Sequence, residues 1–144
     1  MNIETLTKLE QQFHEFPVVR AVEADVREEE IEDAERAVGF TFHPDYRLFL
    51  QKFGGAMVGA YPIFGLRQAE VMGDDMWSVV EMTRHFRAQR WPGADSSYII
   101  SMDGFGNPIG IFSDGTVRMY DHDSRESITL STGFEEFLLK ICLK

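Results

Sequence analysis

The 144-residue chain has one cysteine, five prolines and only 14 basic side chains against 24 acidic ones. Each shortage excludes something. A lone Cys142 cannot close an internal disulfide, which rules out a disulfide-stapled scaffold and fits a reducing compartment. Placed near the end of an apolar helix with only Lys140 and Lys144 as basic neighbours, it reads as a small packing residue and not as a nucleophile. No apolar stretch approaches the roughly twenty residues of a membrane span, and no basic segment followed by an apolar run opens the chain. The expectation is a soluble, unsecreted, cytoplasmic protein with no membrane partner. Scarcity of lysine and arginine, with a formal charge of −10, opposes direct binding to nucleic acid or anionic lipid and favours a basic partner.

Recognisable reaction chemistry is also missing. Gly104-Phe105-Gly106-Asn107 and the Gly54-Gly55 pair lack the spacing, the lysine and the strand-to-helix setting of a phosphate loop, and no serine stands in a nucleophile elbow. Asp121-His122-Asp123, with Asp103 near it if the strands pair consecutively, is the one cluster that suggests a metal. Adjacent residues at a strand end point in different directions, no second histidine has ligand spacing, and Asp commonly closes turns through its own backbone. His14, His43 and His85 are isolated and read as surface or capping residues. Acid pairs are plentiful in so acidic a chain, so pairing alone does not signal glycosidase-type work. The sequence therefore predicts no catalytic residue, no metal, no cofactor and no enzymatic activity.

What is present is a core. With 44% apolar and 12% aromatic residues, the chain is large enough for one domain over residues 1–144, and no repeat, low-complexity tract or linker divides it. Ile3, Leu6, Leu9, Phe13 and Phe16 predict an N-terminal helix packed on the body and ended by Pro17. Asp25 with Glu28 forms a capping-box pattern for a second helix, which Gly39 stops. Phe40 and Phe42 form a short extended link, Pro44 opens a third helix through Tyr46, Phe49, Leu50 and Phe53, and Gly54-Gly55 ends it.

Residues 61–66 read as a short strand or extended edge. A further helix is predicted over residues 75–89 on the stripe Met76, Val79, Val80, Thr83 and Phe86, with Trp77 on the stripe or at its margin, and Trp91-Pro92-Gly93 breaks it. Strands are predicted over 98–102, 109–112, 116–120 and 127–130. Ser113-Asp114-Gly115 supplies the hairpin turn, because glycine tolerates the positive φ required there. Thr132 with Glu135 forms another capping box before Phe134, Phe137, Leu138 and Ile141. The expected class is α+β, a mostly antiparallel sheet of about four to six strands with helices packed on it.

Several of these pieces together resemble the signature of the SUKH superfamily, named for a yeast regulator of cell-wall synthesis and abundant in bacteria as immunity proteins against secreted toxins. Ile31, Ala34 and Glu35 lead to Val38-Gly39, followed by Phe42, Pro44-Asp45-Tyr46, Phe49-Leu50 and Gly54-Gly55. Residues 102–123 are similar to the family's central hairpin with its Asp-Gly-x-Gly-Asn lead-in, and residues 132–138 to its closing helix. The resemblance covers most of the chain. It implies a non-catalytic protein that neutralises a cognate toxin, of nuclease or deaminase type, by occluding its active site.

Eight carboxylates fall between Glu23 and Glu35, with Arg27 the one basic residue among them. Charge patterning alone reads such a helix either as a solvated face or as a docking surface that steers a basic partner. Candidate partner-binding residues are Glu28, Glu29, Glu32 and Asp33 on that helix, Asp103, Asp114, Asp121 and Asp123 around the hairpin, and the aromatic anchors Tyr61, Trp77 and Trp91 if they are exposed. Two alternatives stand beside toxin neutralisation. One is a regulatory scaffold joining signalling proteins; the other is a small-ligand or peptide module with a pocket between residues 61–66 and the sheet. Oligomeric state is not legible.

Overall fold

Helix α1 (Ile3–Glu15) opens on Asn2, whose side chain accepts the Glu4 N–H at 2.8 Å. The computed structural model describes residues 1–22 and 25–144, and Glu23 of the acidic run lies outside the described residues. The buried face of α1 is Thr5, Leu9 and Phe13, spaced four apart. Ile3 and Phe16 do not join it: they are 77% and 57% exposed, Phe16 having left helical geometry at the C-cap. The predicted stripe is thus correct at its centre and wrong at both ends.

Helix α2 (Glu28–Val38) starts two residues later than the capping box requires. Arg27 is the N-cap and makes no side-chain cap bond, so Glu28 falls at the first helical position and turns to Arg47 instead of back to Asp25. Three glutamates in the first turn suit the positive end of the helix dipole without a cap. Gly39 ends the helix at φ +80°, a left-handed conformation that a side chain would strain, and its N–H closes on the Glu35 carbonyl at 2.8 Å. His43 is extended, Pro44 opens α3 (Pro44–Phe53), and Tyr46, Phe49, Leu50 and Phe53 are all buried.

A hairpin follows, β1 (Ala56–Val58) with β2 (Tyr61–Ile63); its first strand is too short to show an alternation in sequence. Helix α4 (Val79–Ala88) is shorter than predicted, because Ser78 accepts the Glu81 N–H at 3.2 Å and fixes the start there. Residues 75–77 are consequently irregular, and the buried face is Val79, Met82, Thr83 and Phe86.

Strands β3 (Ser97–Met102), β4 (Pro108–Phe112), β5 (Val117–Asp121) and β6 (Glu126–Ser131) form an antiparallel sheet in sequence order. Gly115, at φ +86°, makes the β4–β5 turn. On the open side of β3 the Phe64 N–H donates to the Ile100 carbonyl at 2.8 Å, which ties the small hairpin to the sheet. Helix α4 packs on β3, while α5 (Phe134–Phe137), continued by a π-helical turn over Leu138–Cys142, packs against α3 and β6. The capping box at Thr132 is absent: Thr132 Oγ1 donates to Glu136 at 2.6 Å, and Glu135 Oε1 instead accepts from Asn2 N at 3.0 Å and Thr5 Oγ1 at 2.7 Å. Glu135 therefore pins the C-terminal turn to α1. The fold is α+β, as the patterning predicts.

Tyr98 stands at the centre of the core, with Phe42 at 4.9 Å and Tyr46 at 5.6 Å between ring centroids. Tyr46 donates its hydroxyl proton to the Phe64 carbonyl at 2.6 Å, satisfying a fully buried polar group. Burial holds both phenols well above their ordinary range.

Candidate partner-binding site

The segment between Gly73 and Ser78 is irregular but held. Met76 N donates to the Gly73 carbonyl at 3.1 Å, the Trp77 indole to the Asp74 carbonyl at 2.9 Å, and the Gln68 amide to Asp74 Oδ1 at 2.8 Å. Together with one face of α4 and the end of β3, this segment encloses a groove of about 560 Å³. Its apolar surface comes from Met76, Trp77, Met82, Phe86, Trp91 and Met102, and its polar surface from Asp74, Asp75, Ser78, Glu81, His85 and Gln89. Three carboxylates and no lysine or arginine line it. Glu81 is paired with Arg84 at 3.1 Å on the exposed helix surface, whereas Asp74 and Asp75 have no cationic partner among the described residues.

Trp91 closes one end. Its ring meets Phe86, Tyr120 and His122 edge to face with centroids 5.3, 5.9 and 5.9 Å away, and its N–H donates to Gln89 Oε1 at 3.1 Å. His122 is held in turn by Asn107, whose Oδ1 accepts the His122 backbone N–H at 3.1 Å and faces the ring Nδ1. Because that oxygen can only accept, Nδ1 carries the proton. The Asn107 amide donates to Asp103 Oδ2 at 2.9 Å, and Asp103 Oδ1 accepts the N–H groups of Phe105 and Asn107, each at 2.9 Å. Asp103 is therefore the anchor of a turn that positions Trp91 through two intermediaries.

Of the residues singled out by sequence, Trp77 and Trp91 meet in this groove, and Asp103 lies behind one wall of it. The others do not join them. Tyr61 packs on Phe137 with centroids 5.8 Å apart, and none of residues 61–66 lines the groove. Asp114 accepts from Thr116 and Arg118; bonds from Thr116, more than the Arg118 charge, hold its carboxyl below the usual range. Asp121 accepts the Asp123 N–H at 3.0 Å, a turn-closing bond. On α2, Glu28 meets Arg47 and Asp33 meets Arg36, so arginines answer part of that face, while Glu29 and Glu32 are exposed without an ion pair among the described residues.

Sequence reasoning missed Asp74, Asp75, Glu81, His85 and the methionines as a group. The available signal was Ser78 with Glu81, a cap pattern that starts the helix after Ser78 and frees Asp74 to Trp77 to form a wall.

An α+β domain carrying an open, acidic-rimmed groove is the class these features define. The family model SUKH_6, described as SMI1-KNR4 cell-wall, matches residues 28–138, well over half of the chain. The protein belongs to the SUKH superfamily, a family whose membership points to protein–protein interaction. No curated protein matches the chain. Among the described residues, no helix is long and apolar enough to cross a membrane.

Proposed function

We propose that this protein is a non-catalytic binding protein of the immunity type, which neutralises a basic cognate toxin by covering its active site in the cytoplasm. The observation that carries the reading is the groove: both tryptophans of the chain line it, and its charged groups are carboxylates. Aromatic anchors in a water-excluding depression are where binding energy concentrates at interfaces. Acidic groups around them, on a chain of net charge −10, steer a cationic partner and disfavour neutral or acidic ones. A toxin that acts on nucleic acid presents a basic cleft for phosphate, and an acidic surface competes for it.

The test is capture of the product of the adjacent reading frame by the tagged full chain, followed by assay of that product. A near-equimolar basic partner that loses nuclease or deaminase activity when bound, with affinity falling as salt rises, is the expected result. Recovery of host signalling proteins instead would favour a regulatory scaffold, the reading that the cell-wall description of the family supports.

A further inference from the structure

The groove also indicates what kind of side chain it takes, an inference that rests on the binding-protein reading above and makes it more specific. We propose that the groove receives an arginine side chain from the partner, its guanidinium against the indole surfaces and its charge answered by Asp74, Asp75 and Glu81. The two indole N–H groups are already committed, one to the Asp74 carbonyl at 2.9 Å and the other to Gln89 Oε1 at 3.1 Å. What the tryptophans offer a ligand is therefore π surface, which attracts cations and planar groups, and not hydrogen-bond donors. Asp74 accepts only from the neutral Gln68 amide and Asp75 meets no cation among the described residues, so incoming positive charge displaces no existing ion pair at either carboxylate.

Arginine fits better than lysine on three counts. Guanidinium is planar and stacks on aromatic faces, it is more weakly hydrated than ammonium, and its forked donors suit carboxylates on a rim. Met76 and Met102 provide polarizable, adaptable apolar surface for the aliphatic stem. At about 560 Å³ the groove has room for the side chain and the backbone that carries it.

Since the chain has two tryptophans and both line the groove, tryptophan emission excited beyond the tyrosine absorption band reports on this site. The full chain is titrated with the peptide acetyl-Gly-Arg-Gly-amide, and in parallel with versions carrying citrulline or lysine in place of arginine. A saturable emission change with the arginine peptide is expected, weakened by salt and about tenfold weaker with citrulline, which keeps the shape and loses the charge. The double variant Asp75→Asn, Glu81→Gln, far from the core, should weaken arginine binding several-fold while leaving the melting temperature unchanged. Absence of a saturable change, an equal response to citrulline or lysine, or an unaffected double variant would overturn the proposal. Each of those failures leaves the capture experiment above untouched, because a toxin can still be held through another surface.

Discussion

The Asn107 carboxamide bridges two turns, donating to Asp103 Oδ2 at 2.9 Å and accepting the His122 backbone N–H at 3.1 Å. Asn107 is buried, and both bonds are partly shielded from water. Asn107→Ala should cost about 2–3 kcal/mol, because at least two partly buried groups lose their partner. Asn107→Asp should cost at least as much, since a carboxylate faces Asp103 where a donor is needed. Urea denaturation of both variants checks this; a loss below about 0.5 kcal/mol, the scale of an ordinary surface substitution, would show that the bridge does not hold the two turns together.

Ser78 sets the start of α4 and the end of the groove's irregular wall. Ser78→Ala removes the cap on the Glu81 N–H and should destabilise the protein by about 1 kcal/mol. Ser78→Asp should retain the cap and the stability. If the alanine variant melts like the parent, helix α4 does not depend on this residue for its N-terminus.

Alkaline stability should be governed by Tyr46 and Tyr98, both held in the folded state above the ordinary value of 10.0 by burial. The folded chain holds these two protons more tightly than the unfolded one, so the stability the two phenols contribute is intact below about pH 10 and falls as pH rises above it. Tyrosinate absorbance should show these two of the four tyrosines ionising together with loss of structure, not before it. Smooth titration of all four ahead of unfolding would contradict the packing described.

Tyr98 also holds the entry to α3. Its hydroxyl accepts the His43 N–H at 3.0 Å and lies within hydrogen-bond distance, 3.1 Å, of His43 Nδ1. Tyr98→Phe should cost about 1–2 kcal/mol through the orphaned His43 N–H, and should raise resistance to alkali relative to its own neutral stability. A chevron or urea titration at neutral and alkaline pH separates the two effects.

Cys142 is buried and burial pushes its thiol up, which disfavours the reactive thiolate. Ellman's reagent should react with the native protein only at the rate at which the C-terminal turn opens, and at once in denaturant. Prompt modification of the folded protein would mean that this turn is not packed as described.

The legible parts of this protein were those set by bonds between near neighbours. Gly39, Pro44 and Gly54 mark helix ends because left-handed φ and a missing N–H are local properties, and the Ser113-Asp114-Gly115 turn is a hairpin for the same reason. Capping was less legible, since the same carboxylate has distant competitors. Glu28 reaches Arg47, and Glu135 reaches Asn2 and Thr5, partners that no sequence window contains.

Trp77 and Trp91 were visible as candidate anchors, but that they share one groove while Tyr61 packs elsewhere depends on how α4 lies on β3. The same holds for charge. Composition alone determined that the protein is acidic, and the residue patterning that it is α+β. Only the tertiary structure decided which acids are answered by distant arginines, as Glu28 is by Arg47, and which lie beside aromatic surface with no cationic partner among the described residues, as Asp74 and Asp75 do. Charge is a sum over residues and can be read without coordinates; complementarity is a matter of distances across elements far apart in the chain, and those are set when the helices settle on the sheet.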